Sequence, residues 1–177
     1  MDVSIVRKLV LCSMLVAIGV ILGGLLKIPV TLFGGYNLKI SLGVAPVILS
    51  AMLFGPLYGG ICGALCDILG VLIAPLGGYN PAFTLVGALL GIVPGLFFPS
   101  GRPHAVTYPR LLLAVALSQT LGSVILNTLL LITLYGSPWA IFIPRILTQL
   151  IMIPVLSTVC FLVYGALRRS GVLSRPG

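Results

Sequence analysis

An all-α bundle of six membrane-spanning helices, with both termini on the cytoplasmic side, is the fold this sequence predicts. Three observations carry it. Of 177 residues, 59% are hydrophobic and 7% charged, with a mean hydropathy of +1.27. A water-soluble domain carries roughly 25% charged residues, so too few are present to coat a soluble globule. The apolar residues fall into six runs separated by glycine, proline and basic residues, most of them near the roughly 20 residues that cross a bilayer. The basic residues divide unevenly between the two ends of those runs. Arg7, Lys8, Arg102, Arg110, Arg168, Arg169 and Arg175 fall on the side of the termini, while Lys27 and Lys39, with Arg145 just inside the last run, fall on the other. The positive-inside rule places the richer side in the cytoplasm.

The first span covers about 9–26. Arg7 and Lys8 ahead of an apolar run imitate a signal peptide, but the run exceeds the usual apolar region of about 7–15 residues and no small-x-small cleavage site follows. Lys27 and Pro29 end it, and the polar, glycine-bearing stretch to Lys39 reads as an external loop. The second span, about 40–54, is short and contains Pro46. Gly55-Pro56 forms an abrupt turn, and the third span runs about 57–74. Residues 75–81 form the next external loop, followed by a fourth span at about 82–98. A hydrophilic loop from Pro99 to Arg110 holds the single histidine, His104. The fifth span covers about 111–134. Gly136-Ser137-Pro138 closes it and opens the sixth, with Ser137 as N-cap and Pro138 at the first helical position, reaching about 167. The whole chain, 1–177, reads as one membrane domain.

Several function classes are excluded at this stage. The net charge of +8 is distributed between apolar runs, leaving no basic face for a nucleic acid. No G-x-x-x-x-G-K-[ST] loop is present, so the chain lacks the usual phosphate cradle for ATP hydrolysis. One histidine and no G-x-S-x-G elbow leave neither a serine triad nor an HExxH zinc site. Cys12, Cys62, Cys66 and Cys160 lie within apolar segments and read as small core residues rather than metal ligands. Neither an enzyme nor a cofactor is expected.

The polar residues inside the spans are the candidates for function, since such groups are costly in lipid and face a cavity or a partner helix. Asp67 is the intramembrane acid, with Gly59, Gly63 and Gly70 on its face, and serves either a ligand or a neighbouring helix. On the fifth span Gln119, Ser123 and Asn127 recur at a spacing of four. On the sixth, Arg145, Thr148, Gln149 and Met152 share a face. Arg145 either snorkels to the outer surface or binds an anion, because guanidinium pairs with carboxylate in two parallel bonds. Phe33, Tyr36, Tyr79, Phe83, Tyr135 and Trp139 gather at the outer end, as an interfacial belt or as a stacking cage. Gly-Gly-Tyr-Asn occurs in both external loops, at 34–37 and 77–80, by coincidence of turn residues or as paired lids. Gly87, Gly91 and Gly95 repeat every four residues, a spacing that allows close helix packing. Ser13 and Ala17 make a small-xxx-small pair on the first span. The combination suits a planar, hydrogen-bonding, anionic small molecule.

Several segments together carry a family resemblance: LKISLGVAPVIL at 38–49, LFGPLYGGICGALCDILG at 53–70, PLGGYNPAFTLVGALLG at 75–91 and ILNTLLLITLYGSPWAIFIPRILTQLIMIP at 125–154. With RKLVLCSMLVAIGV at 7–20, the chain resembles the substrate-binding S subunits of energy-coupling factor (ECF) vitamin transporters, above all the folate type. The resemblance implies a multi-pass protein of the prokaryotic cytoplasmic membrane that captures folate from outside. It implies partnership with a membrane scaffold (T) subunit and two ATP-binding cassette ATPases. In the family two small residues four apart on the first helix contact the scaffold, and here they match Ser13 and Ala17. Mapped onto folate, Asp67 or Asn127 would accept from the pterin, Tyr79, Phe83 and Trp139 would stack, and Lys39 and Arg145 would pair with the glutamate carboxylates. Thr84 and Gln149 complete the expected ligand-contacting set. The alternatives are an S subunit for another vitamin such as pantothenate, or a self-sufficient proton-coupled carrier.

Overall fold

Long apolar runs interrupted by glycine and proline leave the chain little choice but helices that pair with their neighbours. The computed structural model describes residues 5–24, 28–32, 36–40, 42–73, 79–98, 106–136 and 138–169, the two strands by their backbone alone. Helix α1 (Ile5–Gly24) is followed by strands β1 (Ile28–Leu32) and β2 (Tyr36–Ile40), then α2 (Val44–Phe54), α3 (Pro56–Ile73) and α4 (Pro81–Phe97). Next come α5 (Tyr108–Ser118), a π-helical segment (Gln119–Leu126) and α6 (Asn127–Tyr135), which run on as one rod. A 3-10 turn (Trp139–Ile141) leads into α7 (Phe142–Arg169). Counting the α5–α6 rod once, six helices form the bundle among the described residues, as the apolar runs predict.

The punctuation explains the boundaries. Gly55, at φ 94°, ends α2 with its N–H on the Ala51 carbonyl at 2.9 Å, a backbone conformation that favours glycine. Pro56 then opens α3, where its missing N–H costs nothing. Asn80 caps α4, its Oδ1 accepting from the Ala82 N–H at 3.0 Å, with Pro81 at the first position. Gly136, at φ 61°, closes α6 in the left-handed conformation. The proposed N-cap Ser137 lies outside the described residues, and α7 begins at Phe142, after the 3-10 turn rather than at Pro138.

Three further features differ from the sequence reading. The external stretch between Lys27 and Lys39 holds an antiparallel hairpin, pairing Ile28 with Ile40 and Leu32 with Tyr36. The second span starts at Val44 rather than 40, so α2 has 11 residues and measures about 16 Å, half a bilayer core. It is a central helix, packed against α1, α3, α4 and α7, with Ala45 to Met52 buried throughout. The fifth span is not a uniform α-helix, as described below.

The core lies where α2, α5 and α7 meet: Ile48, Leu111, Val115, Leu156 and Cys160 are fully enclosed. The Cys160 thiol donates to the Ala45 carbonyl at 3.6 Å. Cys66 does the same toward Val16 of α1 at 3.7 Å, so these cysteines act as small core groups. Leucines and isoleucines such as Leu57, Leu72, Leu85 and Leu150 point outward, a surface that lipid solvates and water does not.

Between α3 and α4 the expected glycine repeat makes a backbone-to-backbone seam. A Cβ on Gly91 would overlap the Gly59 carbonyl oxygen, one on Gly63 the Gly87 carbonyl oxygen, and one on Gly95 the backbone of Pro56. The two glycines on the Asp67 face thus admit a close helix; Gly70, one turn beyond Asp67, has nothing within 4 Å of its Cβ position.

Candidate functional site

The glycine seam decides where the intramembrane acid goes. With α3 and α4 pressed together, Asp67 and Thr84 face each other, and the Thr84 hydroxyl donates to Asp67 Oδ2 at 2.8 Å. Thr84 Oγ1 is also 3.2 Å from the Tyr79 phenol oxygen, on the segment entering α4. Tyr79, Thr84 and Asp67 therefore form one hydrogen-bonded chain running from an exposed phenol to a half-buried carboxylate. One threonine proton cannot satisfy a carboxylate with about four acceptor sites, so Asp67 keeps the capacity to accept from a ligand.

A second cluster joins the π-helical segment to α7. Arg145 Nη1 donates to the Ser123 main-chain carbonyl at 3.0 Å, and Gln149 Nε2 donates to Ser123 Oγ at 2.8 Å. Arg145 and Gln149 are four apart on one helix and so share a face. The sequence reading grouped these two, and grouped Ser123 with Gln119 and Asn127 instead.

The reason Ser123 offers its carbonyl lies in the helix register. Within the π segment each N–H reaches back five residues, and the run ends with the Asn127 N–H on the Gly122 carbonyl. In the four-residue spacing of α6, which begins at Asn127, the next N–H, of Thr128, falls to residue 124. The Ser123 carbonyl is passed over and has no helical donor. An unpaired carbonyl in lipid is expensive, and the guanidinium supplies the missing donor. A π segment of this kind commonly marks a functional position.

The π register also breaks the stripe expected from a spacing of four. Gln119 is buried, whereas Ser123 and Asn127 are half-buried. Gln119 Oε1, Thr128 Oγ1 and Gln149 Oε1 are buried without a hydrogen-bond partner among the described residues, each at a cost of about 1–3 kcal/mol. The spacing of four picks out Gln119, which the structure buries, whereas no spacing rule on a regular helix picks out Thr128.

Contacts across α4 set the relative height of the clusters. Ser118 donates to the Leu90 carbonyl at 2.8 Å, and Gly122 packs against the Leu90 side chain. Thr84 lies six residues, about 9 Å, further along α4 toward its Pro81 end. One cluster offers a carboxylate and the other a guanidinium; with Arg110 over the Phe98 ring and Ser118 on Leu90, the rod runs antiparallel to α4, so Ser123 and Thr84 lie on the same side of Leu90.

The remaining expected residues are placed as follows. Trp139 is exposed and stacks on Phe142, ring centroids 5.9 Å apart and planes within 13°. Phe83 is half-buried beside Thr84. The Asn127 amide has no hydrogen-bond partner among the described residues. Lys39 sits in β2, which lies against α7, but its side chain is outside the described residues, as is part of each Gly-Gly-Tyr-Asn segment. Ser13 and Ala17 are exposed on α1 together with Leu9, Met14 and Ile21. Ser13 donates to the Leu9 carbonyl at 2.9 Å, which leaves its hydroxyl satisfied on an apolar face.

Comparison with known proteins agrees with this architecture. Residues 7–164 match the sequence profile described as ECF transporter, substrate-specific component. The folate transporter FolT of Clostridium novyi (strain NT) is 35% identical over 130 residues, covering 73% of this chain and 72% of that protein. A crystal structure of FolT bound with folic acid superposes with a TM-score of 0.74 at 31% identity, covering 89% of this chain and 92% of that one. A structure of the S component of a bacterial ECF transporter superposes with a TM-score of 0.70 at 27% identity, covering 96% of this chain and 98% of that one.

Proposed function

The chain belongs to the ECF transporter substrate-specific component family, and from that premise we propose that it captures folate in the outer half of a prokaryotic cytoplasmic membrane. It then passes the vitamin inward in company with a membrane scaffold (T) subunit and two ATP-binding cassette ATPases. The observation that carries the choice of vitamin is the likeness, at 31% identity over 89% of the chain, to FolT bound with folic acid.

The two polar clusters give that reading a physical form. Folate is a planar pterin with a donor edge at one end and a glutamate with carboxylates at the other. Asp67, held by Thr84, accepts from the pterin amino and ring N–H groups, with Asn127 as the other acceptor. Arg145 receives a glutamate carboxylate, with Gln149 beside it and Lys39 reaching from β2. Tyr79, Phe83 and Trp139 supply aromatic faces, whose stacking adds about 0.5–1.5 kcal/mol per pair. The termini lie in the cytoplasm, where the basic residues of α1 and α7 meet the scaffold side, and the exposed small residues Ser13 and Ala17 form the scaffold contact.

Calorimetric titration of the detergent-purified chain with folate, pantothenate and thiamine tests the reading. Saturable one-to-one binding of folate, and not of the other two, is the expected result. Tight binding of another vitamin would keep the family and replace the substrate.

A further inference from the structure

We propose that Ser123 is a positioning residue that makes Arg145 an oriented receptor for a planar carboxylate. The inference rests on the folate reading for the identity of the ligand, and on the π register for its geometry. The Ser123 carbonyl, passed over where the ladder changes from five-residue to four-residue spacing, holds Arg145 Nη1 at 3.0 Å. A guanidinium has five N–H donors in a rigid fork. With Nη1 tied to the main chain, the opposite edge, formed by Nε and Nη2, has no acceptor among the described residues and no carboxylate beside it. That edge has the spacing of a carboxylate and binds it through two parallel bonds.

Ser123 fixes the receptor twice. Its hydroxyl accepts from Gln149 Nε2 at 2.8 Å, one turn along α7 from Arg145, so the same residue anchors two successive turns of the helix that carries the guanidinium. The buried, unpartnered Gln149 Oε1 lies on that same amide and is available to a donor from the ligand. Because the acceptor for Nη1 is a main-chain atom, the side chain at 123 can change without abolishing it; the register cannot. A lysine at 145 would carry the charge but is a point donor, unable to hold the carbonyl and present a matched edge together. The π segment therefore sets specificity for the anionic end of the ligand, not merely attraction to it.

The test has a ligand-free arm and a ligand arm. In protein labelled with 15N-arginine, the Arg145 guanidinium, assigned by its loss in Arg145→Lys, should exchange slowly with solvent beside the exposed arginines. Deletion of Thr120, an exposed residue of the π segment, restores four-residue spacing and gives the Ser123 carbonyl a helical N–H, so the slow signal should vanish. By titration, the Thr120 deletion and Arg145→Lys should each weaken folate about tenfold or more, while 6-hydroxymethylpterin, which carries no carboxylate, changes less than about twofold. Ser123→Ala should give a smaller loss confined to folate, restored in Ser123→Thr. Where the deletion variant does not fold, the Arg145→Lys and Ser123 variants carry the ligand arm alone.

A fast-exchanging Arg145 in the unmodified protein, or equal losses for folate and 6-hydroxymethylpterin, would overturn the proposal. A slow Arg145 signal in a folded protein that binds neither ligand would uphold the positioning role and overturn the folate reading instead.

Discussion

The Arg145 guanidinium and the Ser123 carbonyl, 22 residues apart in sequence, meet at 3.0 Å where the fifth span leaves its π-helical register. An arginine inside a membrane helix costs about 2.5–3.5 kcal/mol on insertion scales, and a stranded carbonyl in lipid is costly as well. Their union offsets both costs and leaves part of the guanidinium unused.

Replacing Arg145 by alanine should therefore separate ligands by their charge. Folate binding should weaken by about 1.5–3 kcal/mol, the range for a hydrogen bond to a charged group, with 6-hydroxymethylpterin, which has no carboxylate, nearly unchanged. Parallel titrations of the two compounds measure the difference, and an equal loss for both would remove Arg145 from the ligand site.

Asp67 should behave in the opposite way. Asp67→Ala removes the acceptor that Thr84 orients and should weaken folate and 6-hydroxymethylpterin together, by about tenfold or more. Thr84→Val leaves the carboxylate but frees it to rotate, so a smaller loss, again shared by both compounds, is expected. A loss limited to folate would place Asp67 at the wrong end of the ligand.

Two glycine substitutions on one helix pair should differ sharply in stability. Gly91→Ala drives a methyl into the Gly59 carbonyl and should cost about 1–3 kcal/mol, seen as a lower Tm in detergent. Gly70→Ala meets nothing within 4 Å and should leave Tm unchanged or slightly raised. Equal effects would mean that the α3–α4 seam is not what holds these helices together.

Ser13→Leu and Ala17→Leu enlarge an exposed face of α1 and touch neither polar cluster. Folate affinity should stay within about twofold of the unmodified chain, while co-purification with the scaffold and ATPase subunits is lost. Intact assembly with both substitutions present would move the scaffold contact elsewhere.

Much of this architecture was legible in the residues. Hydropathy and proline-glycine punctuation give the number of helices, and the Gly87-Gly91-Gly95 spacing gives the close approach to α3, because both signals are local. The hairpin was present as an alternation, Ile28-Val30-Leu32 facing Tyr36-Leu38-Ile40 in the register, but the glycines between them read more readily as a loop. The start of α2 was obscured because the apolar run continues backward through β2. Asp67, Arg145 and Gln149 stand out in sequence as polar groups in apolar surroundings. Ser123 stands out only as a member of the Gln119-Ser123-Asn127 stripe; its contact with Arg145 depends on a main-chain carbonyl, and a π register has no residue signature that a four-residue spacing rule can detect.

The α3–α4 seam has a mechanical consequence. Where Gly59 meets Gly91 and Gly63 meets Gly87, the contact consists of main chain, and main chain has no alternative rotamer to adopt. Helix pairs that slide past one another do so by exchanging side-chain packing, an option closed to these two. They must travel as a single stiff plate, carrying Asp67 and Thr84 with them at fixed separation. The travel that admits or discharges a ligand must then be taken up where the contacts are made by side chains, along α7 and the rod it packs against.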